Sequence, residues 1–233
     1  MIINSMSAAP AKVERSSKYL FAYIAASAAF CLCDLSSDIN LVRLLIKSTL
    51  MPTLSLYFKD AFGRDSTTLV TASLIFAWAG DVFLDFEGVV GPGPWFLVGM
   101  VSFLLMQLCY LFAFNQLKAY STGIPKAALV VYLALWIGAN YVFGPKLGDL
   151  QPAVVVYSAA LVTMAAVSSG LPHNIGIGGA LFALSDFCIL LRMGGMDFPF
   201  RSTVIQVTYV VAQYLIIKGW CKLNTVYFAG KYK

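Results

Sequence analysis

Charge is what this sequence most lacks. Only 12% of its 233 residues are Asp, Glu, Lys or Arg, whereas soluble domains carry about a quarter. A soluble fold of this length cannot hide the 60% that are hydrophobic, and the mean hydropathy of +0.79 agrees. A soluble enzyme and a disordered chain are therefore excluded. The net charge of +5 is too thinly spread for a nucleic-acid binder. Histidine occurs once, at His173, in a turn where it would cap a helix. Five cysteines, all in or beside apolar runs, give an odd count and no disulfide framework. Cys31 and Cys33 are spaced C-x-C, but no second Cys or His pair completes a four-ligand metal site, so they read as small buried hydrophobes. Serine-lipase and zincin signatures are missing, and Gly91-Pro92-Gly93-Pro94 lacks the lysine and the strand–helix setting of a phosphate loop. Neither a metal nor another cofactor is expected.

What is present is a succession of apolar segments. Eight are long enough to cross a bilayer: 18–35, 40–58, 67–86, 94–114, 126–143, 152–170, 174–193 and 200–220. Turn chemistry separates them, as at Ser36-Ser37-Asp38, Gly63-Arg64-Asp65, Gly144-Pro145 and Gly194-Gly195. The expected fold is all-α, a polytopic membrane bundle of eight transmembrane helices over residues 18–220. Residues 1–17 read as a retained polar tail and 221–233 as a basic one. Eleven Lys and Arg residues fall on the side of both termini, four (Arg43, Lys146, Arg192 and Arg201) on the other, and Lys47 lies within a span. That bias predicts both termini in the cytoplasm. The membrane would be the plasma membrane in a bacterium, or the endoplasmic reticulum or another endomembrane in a eukaryote.

Ionisable groups inside a span cost at least a few kcal/mol on insertion scales and face an interior. Lys47, Asp81 and Asp186 are the clearest here, while Asp85 lies nearer its span's end, within reach of the interface. At the helical rise they fall at one level, about 19, 21 and 18 Å from the cytoplasmic end. Gln206, Tyr209 and Gln213 share one face of span 8, and the first two reach the same level. Gln107 and Tyr110 on span 4 lie nearer the cytoplasm. One polar pocket in an apolar bundle is the expectation. A structural ion pair explains part of it, but one lysine cannot neutralise two carboxylates. Desolvation and repulsion would keep one of them protonated. An acid beside a carboxylate suits hydrolysis of acid-labile ethers and acetals.

Residues 79–84 and 184–189 echo each other around Asp81 and Asp186, as a parallel repeat of four spans would. Gly176, Gly178, Gly179 and Ala180 form a small-residue face suited to close helix packing. Trp78 and Trp136 read as packing or interface residues, with a lipid pocket as the other possibility.

Over roughly residues 20–220 the chain resembles the YhhN-like lysoplasmalogenase family of integral membrane proteins. The resemblance rests on Leu45-Ile46-Lys47 with Met51-Pro52, Gly80-Asp81-Val82-Phe83-Leu84, Phe103 with Tyr110, and Tyr157 with Met164. It continues through Gly179-Ala180-Leu181-Phe182-Ala183-Leu184-Ser185-Asp186 and Tyr209-Val210-Val211-Ala212-Gln213. The family usually carries a histidine where this chain has Gln107. The resemblance implies hydrolysis of the vinyl ether of a lysophospholipid to a fatty aldehyde and a glycerophospho-base. Asp81 and Asp186 would be catalytic. Lys47, Gln107, Tyr110, Tyr157, Gln206, Tyr209 and Gln213 would bind substrate. Two other classes compete: a small-molecule or proton-coupled transporter with Lys47, Asp81 and Asp186 as a relay, and a catalytically silent lipid-binding protein. The lack of Pro- or Gly-broken span pairs weighs against transport, and Gln107 keeps the silent protein in view.

Overall fold

The computed structural model describes residues 8–33, 40–62, 68–91, 93–117 and 121–231. Among these residues it is all helical. The α-helices are α1 (Ala8–Cys33), α2 (Asn40–Phe62), α3 (Thr68–Val90), α4 (Trp95–Gln116), α5 (Lys126–Phe143), α6 (Gln151–Ser168), α7 (His173–Met193) and α8 (Arg201–Lys231). Two short 3-10 turns, Gly144–Lys146 and Gly148–Leu150, join α5 to α6. Seven helices, α2 to α8, are long and apolar enough to cross a membrane, and α1 has a shorter apolar stretch, Ser17–Cys33. The protein is an integral membrane protein. Large apolar side chains point outward all round, among them Phe21, Phe112 and Val130, each more than 60% exposed. That surface matches lipid and would be costly in water.

The helices match the apolar segments to within a few residues in the interior of the chain. At the ends, α1 already begins at Ala8 and α8 continues to Lys231, inside the expected tails. The turns at Ser36-Ser37-Asp38 and Gly63-Arg64-Asp65 lie outside the described residues. His173 does not cap a helix. It is the first residue of α7, and the cap position is Pro172, with no side-chain cap. At the other end of α7, Gly195 takes a positive φ of 78°, and the Met196 N–H reaches back to Leu191 O at 2.9 Å, closing the helix in a Schellman turn.

Neighbouring helices close a ring in the order α1, α2, α3, α4, α6, α7, α8, with α8 returning to both α1 and α2. Helix α5 packs chiefly on α6, outside the ring. The echo around Asp81 and Asp186 therefore does not extend to packing, since α1 joins two neighbours in the ring and α5 sits beside it.

Without a hydrophobic drive between helices in lipid, close approach must supply the attraction, and small residues permit it. A Cβ on Gly80 would meet the Phe103 ring at 2.6 Å, and one on Gly99 would meet Leu84 Cγ at 2.8 Å, so α3 and α4 touch through two glycines. Gly178 and Gly219 play the same part between α7 and α8, where added Cβ atoms would meet Ile216 Cγ1 at 2.7 Å and Ile175 Cγ1 at 2.6 Å. Gly179 faces Ser168 of α6. The small-residue face of α7 is thus divided between two neighbours.

Pro52 lies inside α2 and has no N–H for the carbonyl one turn back, at Ser48. Trp78 of α3 fills the vacancy: its Nε1–H donates to Ser48 O at 2.9 Å. Lipid offers that carbonyl no water, so the indole both satisfies it and ties α3 to α2. Trp78→Phe should lower stability by about 1–3 kcal/mol, the cost of leaving a polar group unsatisfied. In a Pro52→Ala background, where the helix supplies its own N–H, the same change should cost much less. Equal losses of thermal stability in both backgrounds would refute the pairing.

Candidate active site

Two ladders of charge face each other across α2 and α3. Arg43 and Lys47 are one turn apart on α2, and Asp81 and Asp85 are one turn apart on α3. Lys47 Nζ lies 3.0 Å from Asp85 Oδ1 and 3.5 Å from Asp81 Oδ1, and Arg43 Nε lies 3.4 Å from Asp85 Oδ2. Lys47 and Asp81 are almost wholly buried, at 5% and 1% exposure. Phe30 of α1 covers the ladder, its ring centroid 5.5 Å from Lys47 Nζ and 5.2 Å from the Arg43 guanidinium carbon. A cation over an aromatic face is attracted by the ring quadrupole, most strongly when desolvated. The expectation for Asp85 needs correcting. It does not reach out to the interface but shares Lys47 with Asp81. Its place one turn from Asp81 was the signal in the sequence. Phe30 left no such signal.

Each intramembrane aspartate accepts a hydrogen bond from a tyrosine. Tyr209 of α8 donates to Asp81 Oδ2 at 2.7 Å. Tyr157 of α6 donates to Asp186 Oδ2 in a short bond. The motifs before the aspartates explain how they are held. Gly80 makes room for the Phe103 ring, which meets Tyr209 edge-on at 5.9 Å and braces the hydroxyl that bonds Asp81. Ser185 donates to Ile205 O at 3.0 Å, fixing α7 to α8, and one residue on, Asp186 turns toward α6. Among the described residues no ion pair reaches Asp186. The two carboxyl groups therefore differ in kind: one faces a lysine, the other only a neutral hydroxyl.

A cavity of about 440 Å³ joins them. This lies within the ordinary range for small-ligand sites, roughly 300–1,000 Å³. Lys47, Asp81, Asp186, Gln206 and Tyr209 all line it, as the depth argument expects, and Tyr157 lines it too. The rest of the wall is largely apolar and comes from α4, α5, α6 and α7. Trp136 of α5 is part of it, with its indole N–H donated to Ser158 Oγ at 3.0 Å. Leu135 of α5 and Leu184 and Phe187 of α7 line the cavity and are themselves exposed. The cavity is thus partly open rather than enclosed.

Gln107, Tyr110 and Gln213, expected to bind substrate, do not line the cavity. They lie behind it in a closed layer. Tyr110 donates to Gln213 Oε1 at 2.7 Å, and Gln213 Nε2 approaches Met106 Sδ at 3.2 Å. Gln107 is fully buried with its amide beside the Tyr157 hydroxyl, and neither end of the amide is aligned for a good hydrogen bond. The shared helix face of Gln206, Tyr209 and Gln213 is correct, but the last of them sits one turn past the cavity floor.

Comparison with known proteins places the chain in a family. The chain is 32% identical over 157 residues to lysoplasmalogenase TMEM86B of Sus scrofa, an alignment covering 67% of this chain and 65% of the relative. The chain therefore spans just under two thirds of the length of the curated relative it matches. No solved structure matches. Residues 42–220 match the YhhN family, a stretch that contains both ladders, both aspartate–tyrosine pairs and every residue lining the cavity, while Phe30 lies before it. The chain belongs to the YhhN family.

Proposed function

We propose that this protein hydrolyses the vinyl ether bond of lysoplasmalogens, releasing a fatty aldehyde and a glycerophospho-base. The observation that carries the reading is the largely apolar, partly open cavity with two differently partnered aspartates on its wall. Similarity to a lysoplasmalogenase supports it. A single-chain lipid would enter between α5 and α7 and leave its tail among Leu135, Leu184 and Phe187.

Asp81, opposite Lys47, serves as the carboxylate. Asp186 carries the proton, held on the oxygen that Tyr157 does not bond. Asp186 gives that proton to the β-carbon of the vinyl ether, and the electron pair of the double bond forms the new C–H bond. The cation left behind is an oxocarbenium ion, which the Asp81 carboxylate stabilises in a low-dielectric site. Asp81 then takes a proton from water as the water oxygen adds to the cationic carbon, giving a hemiacetal. In the collapse Asp81 returns its proton to the glyceryl oxygen, the C–O bond breaks, and the hemiacetal hydroxyl reprotonates Asp186. One water is consumed and both aspartates are restored.

We also read the fold as eight spans, with residues 18–220 in the bilayer and both flanking segments cytoplasmic, on the basic asymmetry of the loops. Single cysteines placed at Thr225 and Gly91 should label from opposite sides of the membrane. Labelling from the same side would remove that topology.

Asp81→Asn and Asp186→Asn should each reduce aldehyde release by at least about a thousandfold, with little further loss in the double variant, because the pair acts as a unit. Asp85→Asn should cost less in turnover. It removes the nearer partner of Lys47 but leaves Asp81 in place. Normal turnover in either of the first two variants, in protein that remains folded, refutes the assignment.

Gln107 lies against the Tyr157 hydroxyl without a well-aligned hydrogen bond, so Gln107→Leu should keep turnover within about tenfold, equivalent to 1.4 kcal/mol. Gln107→His should keep or raise it. An inactive native protein that the histidine restores would instead show that an imidazole beside Tyr157 moves a catalytic proton.

A further inference from the structure

The cavity has a second polar region that the chemistry above does not use. At the end of the bundle where α7 finishes and α8 begins, Arg192 and Arg201 line its rim, with Ser202 beside them. The charges along the wall are ordered: Asp81 is almost wholly buried, and Arg192 is exposed at the end of the bundle. Arg43 also lines the cavity, but Asp85 holds it. Arg192 has no acidic partner among the described residues. Arg201 pairs with Asp197, which is itself largely exposed, and a guanidinium fork with five donors keeps others free. α8 also begins at this rim, and although the Arg201 N–H is donated to Phe198 O at 3.3 Å, the positive end of the helix favours an anion there.

We propose that Arg192 and Arg201 form a phosphate site that holds the headgroup phosphodiester of a single-chain phospholipid while its ether bond lies between the aspartates. The inference rests on the substrate reading given above and adds the part of the lipid that the deep cavity does not address. The spacing fits. Arg192 is six residues beyond Asp186 on α7, a rise of about 9 Å. The glycerol backbone between ether oxygen and phosphorus spans roughly 6 Å when extended, and an arginine side chain bridges the remainder. Arginine suits the task because its planar fork binds two phosphate oxygens at once. A lipid anchored at this rim has its tail directed along α5 and α7 in the largely apolar cavity. The site would thus fix which carbon of the chain meets Asp186.

Calorimetric titration of the detergent-solubilised full-length protein tests this with ligands that cannot be cleaved. The probes are a saturated 1-alkyl lysophosphatidylcholine, the matching 1-alkylglycerol without phosphate, and inorganic phosphate alone. The native protein should bind the phospholipid at least tenfold more tightly than the alkylglycerol, and bind inorganic phosphate far more weakly than either. Arg192→Gln and Arg201→Gln should each weaken phospholipid binding about five- to tenfold and leave alkylglycerol binding unchanged, which also shows that the fold is intact. Equal affinity of the native protein for both lipids overturns the site, and so do equal losses for both lipids in the variants. Inorganic phosphate bound as tightly as the phospholipid overturns the lipid assignment. A native protein that shows the headgroup preference but releases no aldehyde from a lysoplasmalogen would sink the catalytic reading and leave this one standing. Aldehyde release without the preference would do the reverse.

Discussion

Two carboxylates converge on the Lys47 ammonium in the interior of a bundle whose outer solvent is lipid. Removing either side of such a group strands a charge in a low-dielectric interior, which typically costs 3–5 kcal/mol. The charges on α2 and α3 are therefore bound to each other, and the register of these two helices is set by the match of two one-turn ladders. Phe30 draws α1 into the same arrangement by lying over the cations. Tyr209 draws in α8 through its bond to Asp81. Four of the seven ring helices thus meet around one lysine, and the cavity begins at that point.

The remaining helices are held by closeness. Glycines at 80, 99, 178, 179 and 219 stand where a methyl group would strike a neighbour. Some of these contacts also serve the site. Gly80 admits the ring that braces Tyr209, and the residue after it is the aspartate that Tyr209 bonds. Structural and chemical roles alternate along the helix because successive side chains point about 100° apart. Ser185 and Asp186 repeat the device, one residue fastening α7 to α8 and the next facing Tyr157.

Much of the site was legible in the sequence because the bilayer makes polar residues conspicuous. A lysine, two aspartates and a row of Gln and Tyr stand out in apolar helices, and helical rise alone puts Lys47, Asp81 and Asp186 at one level. Asp85 shows the limit of that reasoning. Distance from the span's end suggested an escape to the interface, but its spacing from Asp81 pointed inward, and the ion pair prevails over the route to water. Gln107, Tyr110 and Gln213 show another. They share helix faces with cavity residues, yet a turn of helix takes them behind its floor, where Tyr110 and Gln213 satisfy each other.

The sequence by itself determined that the chain lives in lipid, that it is built of apolar helices, and which side chains are too polar to face the bilayer. Those follow from composition and from a rise per residue that is the same in every helix. Tertiary structure alone decided the partners. Asp81 meets a lysine and Asp186 a tyrosine because α3 packs on α2 while α7 packs on α6, and two similar motifs acquire different chemistry from different neighbours. The same packing leaves α5 outside the ring, where it supplies one wall of the cavity. No local pattern encodes these contacts, because they depend on which helix pairs approach closely enough for their side chains to touch.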